Sequence, residues 1–243
     1  MKSLLRKIRA KWHSDLYTLL DNISSVHVPV INAECKLYDA FITEQTQRRR
    51  KDRMSLPVTR LKKRHFKNLK YVLDRYEMLS LFPKKSICAE IGVASGNYSQ
   101  DILRIVQPQK LHLIDMWGSE RYGEDKMHIV KTIFSNQIRD NQIVLNRGLS
   151  TEVLQTFDNA YFDWVYIDSD HSYETTKQEL ELCMEKVKPE GIIAGHDYCI
   201  GNWDTGLKYG VIEAVYEFCL KHDWELVFIT SDISHASFSL KKL

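Results

Sequence analysis

Cys88-Ala-Glu-Ile-Gly-Val-Ala-Ser-Gly-Asn-Tyr-Ser99 is the stretch whose reading decides the fold. It reads as the end of a short apolar strand over residues 86–91 that carries an acid, Glu90, then a glycine turn, then a helix. Gly92 and Gly96 frame the turn, where missing side chains let the backbone approach a ligand closely. Asn97 or Ser95 is placed to cap the helix that follows. The dinucleotide fingerprint G-x-G-x-x-G needs a glycine where Ala94 stands, so the pattern here is Glu90-x-Gly92-x-x-x-Gly96. Further on, Leu111-His-Leu-Ile-Asp115 is a second strand-like run ending in an acid, followed by Met116 and Trp117. In a doubly wound sheet, ligands lie beyond the carboxyl ends of the strands, and an acid at the second strand's end holds ribose hydroxyls. Asp115 has that position, although a turn-forming Asp after a strand is the plainer alternative.

Composition bounds the remainder. The 243 residues are 44% hydrophobic and 27% charged, an ordinary globular balance. No run approaches the roughly 18 apolar residues of a membrane span. The basic N-terminus lacks an uninterrupted apolar segment and a small-residue cleavage site, so no secretory signal is expected. Five cysteines (Cys35, Cys88, Cys183, Cys199, Cys219) form no C-x-x-C pair. Their spacing argues for free thiols in a reducing compartment, not for zinc or a disulfide framework, and cytoplasmic is the expected location.

The formal charge of +2 conceals an asymmetry. Residues 1–85 hold 20 Lys+Arg against 8 Asp+Glu, whereas the remainder holds 14 against 24. We therefore expect a basic helical N-terminal extension over 1–85, serving as lid or oligomerisation element, and a core domain over 86–243. Leu4, Leu5, Ile8, Trp12, Leu16, Leu19 and Leu20 recur at helical spacing, which suits a partner, a dimer mate or a membrane surface. A second helical pattern covers residues 66–81, and the charged stretch 45–57 reads as mobile. Basic clusters at 48–53 and 62–70 could face nucleic acid, anionic lipid or a phosphorylated substrate; solvated helix faces explain them as easily.

From residue 86 onward strands and helices alternate, as in a parallel α/β sheet. Strands are expected at 86–91, 110–115, 142–146, 163–168, 191–195, 225–229 and 236–241, the last two as an antiparallel hairpin. Helices are expected near 97–106, 124–138, 150–156, 173–187 and 210–222. Two further strand ends carry ionisable clusters: Asp168-Ser-Asp170-His171 and His196-Asp197. Parallel neighbouring strands would bring both beside Glu90 and Asp115. Acids converging there repel one another, and a divalent cation that also takes substrate oxygens would relieve the repulsion. The plainer alternatives are a turn role for Asp168, a helix-cap role for Asp170 and a solvated loop position for His171.

Glu90-x-Gly92-x-x-x-Gly96 resembles the first motif of class I S-adenosylmethionine-dependent methyltransferases. The run Tyr166-Ile-Asp-Ser-Asp-His-Ser-Tyr-Glu174, then Lys188-Pro-Glu-Gly-Ile-Ile, then Gly195-His-Asp-Tyr198 is similar to their small-molecule and sugar branch, the macrocin O-methyltransferase-like enzymes. The resemblance spans roughly residues 86–240 and implies a Rossmann-like, seven-stranded doubly wound sheet with an antiparallel last strand. It implies methyl transfer from S-adenosylmethionine to a sugar or small-molecule hydroxyl, assisted by magnesium or manganese. Glu90, Gly92, Ser95 and Gly96 would line the methionine and ribose part of the cofactor, and Asp115 its ribose hydroxyls. Met116 or Trp117 would pack on adenine, with Ser150 and Asp168 also at the cofactor. Asp168, His196 and Asp197 would hold the metal, and Asp170, His171 or His196 would be the base. Imidazole is a poor magnesium ligand and a better one for manganese or iron. Residues 199–210, with Trp203 and Tyr209, read as a loop gating the substrate. A homo-oligomer is expected, with peripheral membrane contact left open. An RNA methyltransferase using the basic N-terminus is the competing enzyme reading, although the metal-like acids suit a hydroxyl substrate better. A cofactor-binding module without turnover is the non-enzyme reading.

Overall fold

The computed structural model describes residues 28–232 and 234–243. The helical stripe expected between Leu4 and Leu20 lies outside the described residues. The chain divides after Ser55, and Leu56–Leu243 is one compact unit. Before that division the described part is a single helix, α1 (Val28–Met54), with Lys51 and Arg53 in its last turn, where cations suit the negative end of the helix dipole. The charged stretch expected to be mobile is thus helical as far as Met54, consistent with the high helix propensity of its Gln, Arg and Lys residues. Among the described residues, no helix is long and apolar enough to cross a membrane.

The second unit is a sheet with helices on both faces. Its elements run β1 (Lys70–Val72), α2 (Arg75–Ser80), β2 (Ile87–Ile91), α3 (Asn97–Val106), β3 (Lys110–Asp115), α4 (Glu124–Ile133), α5 (Ser135–Arg139) and β4 (Ile143–Arg147). They continue with α6 (Ser150–Val153), β5 (Phe162–Ile167), α7 (Tyr173–Lys186), β6 (Val187–Gly195), α8 (Val211–His222), β7 (Trp224–Thr230) and β8 (Phe238–Lys242). The strand order is β1-β7-β8-β6-β5-β2-β3-β4. All pairs are parallel except those of β8, which lies antiparallel between β6 and β7.

Alternation along the strands divides the core into two layers. Cys88, Leu111, Leu113, Trp164, Tyr166 and Ile192 join one buried cluster with Met78, Leu79, Ile102 and Val130 from α2, α3 and α4. Their strand neighbours Ala89, Ile114, Val165, Ile167 and Ile193 join the other, with Leu180 and Cys183 of α7 and Val215 and Phe218 of α8. Strands buried on both faces read as near-continuous apolar runs, which is why residues 86–195 were legible.

The sheet carries eight strands where seven were expected, the additional one being β1 at its edge, and the compact units divide after Ser55. The helical pattern expected over 66–81 is broken into a short 3-10 turn (Lys63–Phe66), β1 and α2. The break has a local cause. Asp74 caps α2 by accepting the N–H groups of Tyr76 (2.9 Å) and Glu77 (2.8 Å), while Glu77 reaches back to the N–H of Leu73 (2.5 Å). This reciprocal capping starts a helix at Arg75 and excludes one running through it. The preceding residues are instead tied to the sheet. Lys70, Tyr71 and Val72 pair with Phe228, Ile229 and Thr230. Buried His65 bonds the carbonyl of Trp224 (2.8 Å), and Asn68 donates to Glu225 (2.8 Å).

A chain starting at Leu56 should keep the melting temperature of the full protein within a few degrees. One starting at Ser86 strips β7 of its outer partner and should lose about 10 °C or more, or precipitate. Thermal melts followed by circular dichroism of the two truncations check this; equal melting would show that residues 56–85 are dispensable to the fold.

Candidate active site

The chain proceeds from β2 through β3 to β4 on one side and returns through β5 and β6 on the other, so strand order reverses at the β2–β5 pair. The crevice beyond that reversal is where such sheets bind ligands. Gly92 leaves β2 there with φ 86°, and a Cβ on it would lie 1.9 Å from the carbonyl oxygen of Asp168. Only glycine fits between these two strand ends. The N–H of Asp168 donates to Ile91 (2.7 Å) and that of Gly92 to Ile114 (2.9 Å), binding three strand ends together. Gly96, at φ 79°, is itself the residue capping α3, so neither Asn97 nor Ser95 has that role. Ser95 is half-buried in the turn.

Asp115 holds this turn in place. Its Oδ2 accepts the N–H groups of Val93 (2.8 Å) and Ala94 (2.9 Å), and its Oδ1 that of Trp117 (2.8 Å). The Trp117 indole then donates to the carbonyl of Ala94 (2.9 Å). Ala94 (φ 49°) and Trp117 (φ 41°) both sit in the left-handed region, which side chains other than glycine rarely adopt. From the next strand, the Arg147 guanidinium donates to the carbonyls of Met116 (3.3 Å) and Trp117 (3.1 Å) and pairs with Glu124. Asp115 is thus first a brace, with acceptor capacity left on Oδ1 for a hydroxyl. Trp117 is fully buried and offers no exposed face to a ligand, whereas Met116 is 43% exposed.

Glu90 is buried on the α3 side of the sheet and accepts a hydrogen bond from Ser99. Burial pushes its carboxyl up to about 8, with Asp168 and Asp115 adding to the rise and Ser99 and Arg75 opposing it. Arg75 was missed in the sequence, because it lies in a segment expected to be extension. Its guanidinium stands 4.4 Å from the ring centroid of Tyr98, and its charge acts on both Glu90 and Asp168. The capping pattern Asp74-x-x-Glu77 was the available signal for the helix that carries it. Ser150 was expected beside the cofactor, but its hydroxyl donates to Glu179 (2.5 Å). Buried Glu179 on α7 also accepts from Ser169 (2.7 and 2.8 Å), and burial raises its carboxyl pKa.

On the other side of Gly92, Asp168 follows β5 and Asp197 follows β6. His171 Nδ1 donates to Asp197 Oδ2 at 2.9 Å. Ligand atoms of Asp168, His171 and Asp197 all lie within 4.8 Å of one another. Burial and the neighbouring charge of Asp197 push Asp168 up to about 7, against the pull of His171 and Arg75. Burial also works against the Asp197 carboxylate, yet the hydrogen bond and charge of His171 hold its pKa low. His171 is raised, its Asp197 bond and the surrounding carboxylates outweighing burial.

Two expected roles change hands. His196, paired in expectation with Asp168 and Asp197 as a metal ligand, instead bonds Ser237 (3.0 Å), which bonds the Tyr166 hydroxyl (2.9 Å). Burial pushes His196 down to about 4, so it stays neutral, and His171 takes its place in the trio. Asp170 is exposed, and its carboxylate accepts from Ser172 Oγ (3.0 Å) and Thr175 Oγ1 (2.9 Å) at the start of α7. Ser172 is the cap of α7, accepting the N–H of Thr175, and Asp170 braces that cap from the preceding loop near the positive end of the helix dipole. In the loop expected to gate the substrate, Gly201 bridges Lys208 and Trp203 is 65% exposed. The Tyr209 ring lies 4.7 Å from that of His171.

The glycine cradle at the strand reversal fits a nucleotide-bearing cofactor, and two carboxylates with an imidazole fit a divalent cation. Residues 89–198, from β2 to just beyond Asp197, match the sequence model of a methyltransferase domain. No curated protein is matched by the chain. Among solved structures, it is similar to a putative rRNA-methylase from Clostridium thermocellum, with TM-score 0.53 and 18% identity over 70% of this chain and 95% of that one. It is similar to the O-methyltransferase TomG of Streptomyces achromogenes, involved in tomaymycin synthesis and solved with S-adenosylmethionine, with TM-score 0.52 and 15% identity over 69% and 78%. It spans 55% of the pyocyanin biosynthetic protein PhzM, with TM-score 0.54 and 14% identity over 70% of this chain. At these identities the likeness is one of fold. Together, the methyltransferase-domain match over residues 89–198 and the shared fold support a reading of the chain as an S-adenosylmethionine-dependent methyltransferase.

Proposed function

We propose that this protein is an S-adenosylmethionine-dependent methyltransferase acting on a hydroxyl of a sugar or sugar-bearing small molecule, with a divalent cation held by Asp168, His171 and Asp197. The observation that carries the reading is the gathering of these three side chains within 4.8 Å, on the far side of Gly92 from the Asp115 turn. S-adenosylmethionine supplies an already activated methyl electrophile, so the chemistry left to the protein is preparing the acceptor oxygen. A sugar hydroxyl attacks poorly until its proton is drawn away. A cation at the trio would supply Lewis acidity to that oxygen. Two carboxylates and an imidazole suit manganese or iron better than magnesium. Tyr209 and Trp203 would offer aromatic faces to a sugar ring.

The 2.9 Å bond between His171 and Asp197 favours a second, metal-free reading. Asp197 would hold the imidazole with its proton on Nδ1, leaving Nε2 to take the hydroxyl proton. Methyl-transfer assays on sugar acceptors, with chelator and then with added Mn(II) or Mg(II), separate the two. Metal assistance requires activity to fall under chelation and return with the cation. Activity indifferent to chelation would leave the base dyad. Asp168→Asn should lower turnover by about 100-fold or more while S-adenosylmethionine affinity, by calorimetry, changes less than about threefold. Wild-type turnover in that variant would remove Asp168 from the chemistry.

Glu90 makes a separate prediction. Its carboxyl is raised from an ordinary 4.5 to about 8 in the folded chain, so the folded state holds a proton that the unfolded state has lost. Its contribution to stability is present below about 4.5 and is lost as pH rises through about 8. Glu90→Gln should flatten that decline, making the ligand-free protein more stable than wild type at pH 8.5 in urea melts. The same variant should bind S-adenosylmethionine about tenfold more weakly, having lost an ionisable partner for a cationic ligand. Parallel pH profiles in the two proteins would show that Glu90 does not titrate as described.

A further inference from the structure

We propose a second cation position in this protein, formed by Asp197, Cys199 and His235 and suited to a borderline-soft ion such as Zn(II). Ligand atoms of these three side chains lie within 4.8 Å of one another. The position goes beyond the hydroxyl-methylation reading and stands whether or not that reading does.

The donors come from two separate loops, which explains why spacing along the chain showed no zinc motif. Asp197 and Cys199 lie in the turn after β6, where the N–H of Cys199 donates to the carbonyl of Asp197 (2.7 Å). His235 lies in the connection between β7 and β8. The N–H of Tyr198 donates to the carbonyl of Ala236 (2.8 Å), clasping the two loops together at the residues beside all three donors. Asp197 holds a left-handed backbone at φ 55°, which sets the direction of its carboxylate.

That carboxylate faces two ways. Its Oδ2 takes the 2.9 Å hydrogen bond from His171, while its Oδ1 lies 3.8 Å from His235 Nε2. One residue can therefore serve the acceptor trio and this second group at once. Cys199 is half-buried and the His235 side chain is 32% exposed, which leaves a route from solvent and room for a water ligand. Thiolate, imidazole and carboxylate with one open position is a donor set that zinc accepts in tetrahedral geometry. Hard magnesium disfavours the sulfur. Binding releases the Cys199 thiol proton to solvent, and the cation takes the sulfur lone pair. A cation on Oδ1 would also fix the carboxylate that orients His171, so occupancy couples to the acceptor site through Asp197.

The test uses the full chain stripped by chelator and titrated with Co(II), a coloured stand-in for zinc. A thiolate-to-cobalt charge-transfer band should grow to saturation at one Co(II) per chain and be bleached by Zn(II). The band should fall by about tenfold or more in Cys199→Ser and in His235→Ala, each verified as folded by its melt. Asp168→Asn should keep the band while losing methyl transfer, which separates this position from the acceptor trio. Absence of a thiolate band in the folded wild type would overturn the proposal. So would a band undiminished in Cys199→Ser, which would assign the sulfur to another cysteine.

Discussion

The Asp115 carboxylate is the constraint on which the donor half of the molecule depends. It collects three backbone N–H groups from two segments that would otherwise have no reason to meet: Val93 and Ala94 after β2, and Trp117 after β3. Two of those residues hold left-handed backbones, each costing roughly 1–3 kcal/mol. Hydrogen bonds to a charged acceptor are worth about 1.5–3 kcal/mol each, so the three together offset that strain. The turn is therefore shaped during folding and not by its ligand. A cofactor arriving there has little ordering left to impose, which is the thermodynamic meaning of a preorganised site.

The carboxylate cluster beyond β5 and β6 follows from the same reversal of strand order. Gly92 permits β2 and β5 to end in contact, and that contact places Asp168 beside the cofactor turn. The consequence is a concentration of acids in a poorly solvated crevice, where Glu90 and Asp168 are driven to about 8 and 7. A protein selected for stability alone would not retain them, because each resists ionisation where it stands. Arg75, stacked on Tyr98, moderates both from one position between the two halves. Charge in this crevice is thus arranged to respond to a positive ligand.

The strands from residue 86 onward were legible because burial on both faces writes long apolar runs, and the Glu90–Gly96 turn because only glycine tolerates its geometry. The side-chain assignments were less legible, for specific reasons. His196 and Asp197 are adjacent, and adjacent residues leaving a strand point to opposite sides, so only one could face His171. Local sequence does not say which. Asp170 carries a chemistry-bearing carboxylate in a chemistry-bearing motif, yet its position two residues before the α7 cap commits it to Ser172 and Thr175. Trp117 follows Asp115 as a large aromatic, yet its indole is buried and braces the turn through the carbonyl of Ala94. Arg75 and β1 escaped notice because the pairing that gives them meaning is with β7, far along the chain.

That distant pairing also bears on how the molecule is made. Lys70–Val72 is the first strand among the described residues to be made, and its partner, Trp224–Thr230, follows only after β2 to β6. Domains dominated by such non-local pairings fold slowly, because the entropy of closing the intervening chain is spent before the contact forms. Until β7 has been made, β1 and the helix bearing Arg75 have no sheet edge to join. The nascent chain would assemble its cofactor turn from β2 and β3 long before that edge is sealed. The glycine turn thus precedes completion of the sheet, and closure of β1 onto β7 is the step at which the Glu90 and Asp168 carboxyls gain the Arg75 guanidinium as a neighbour.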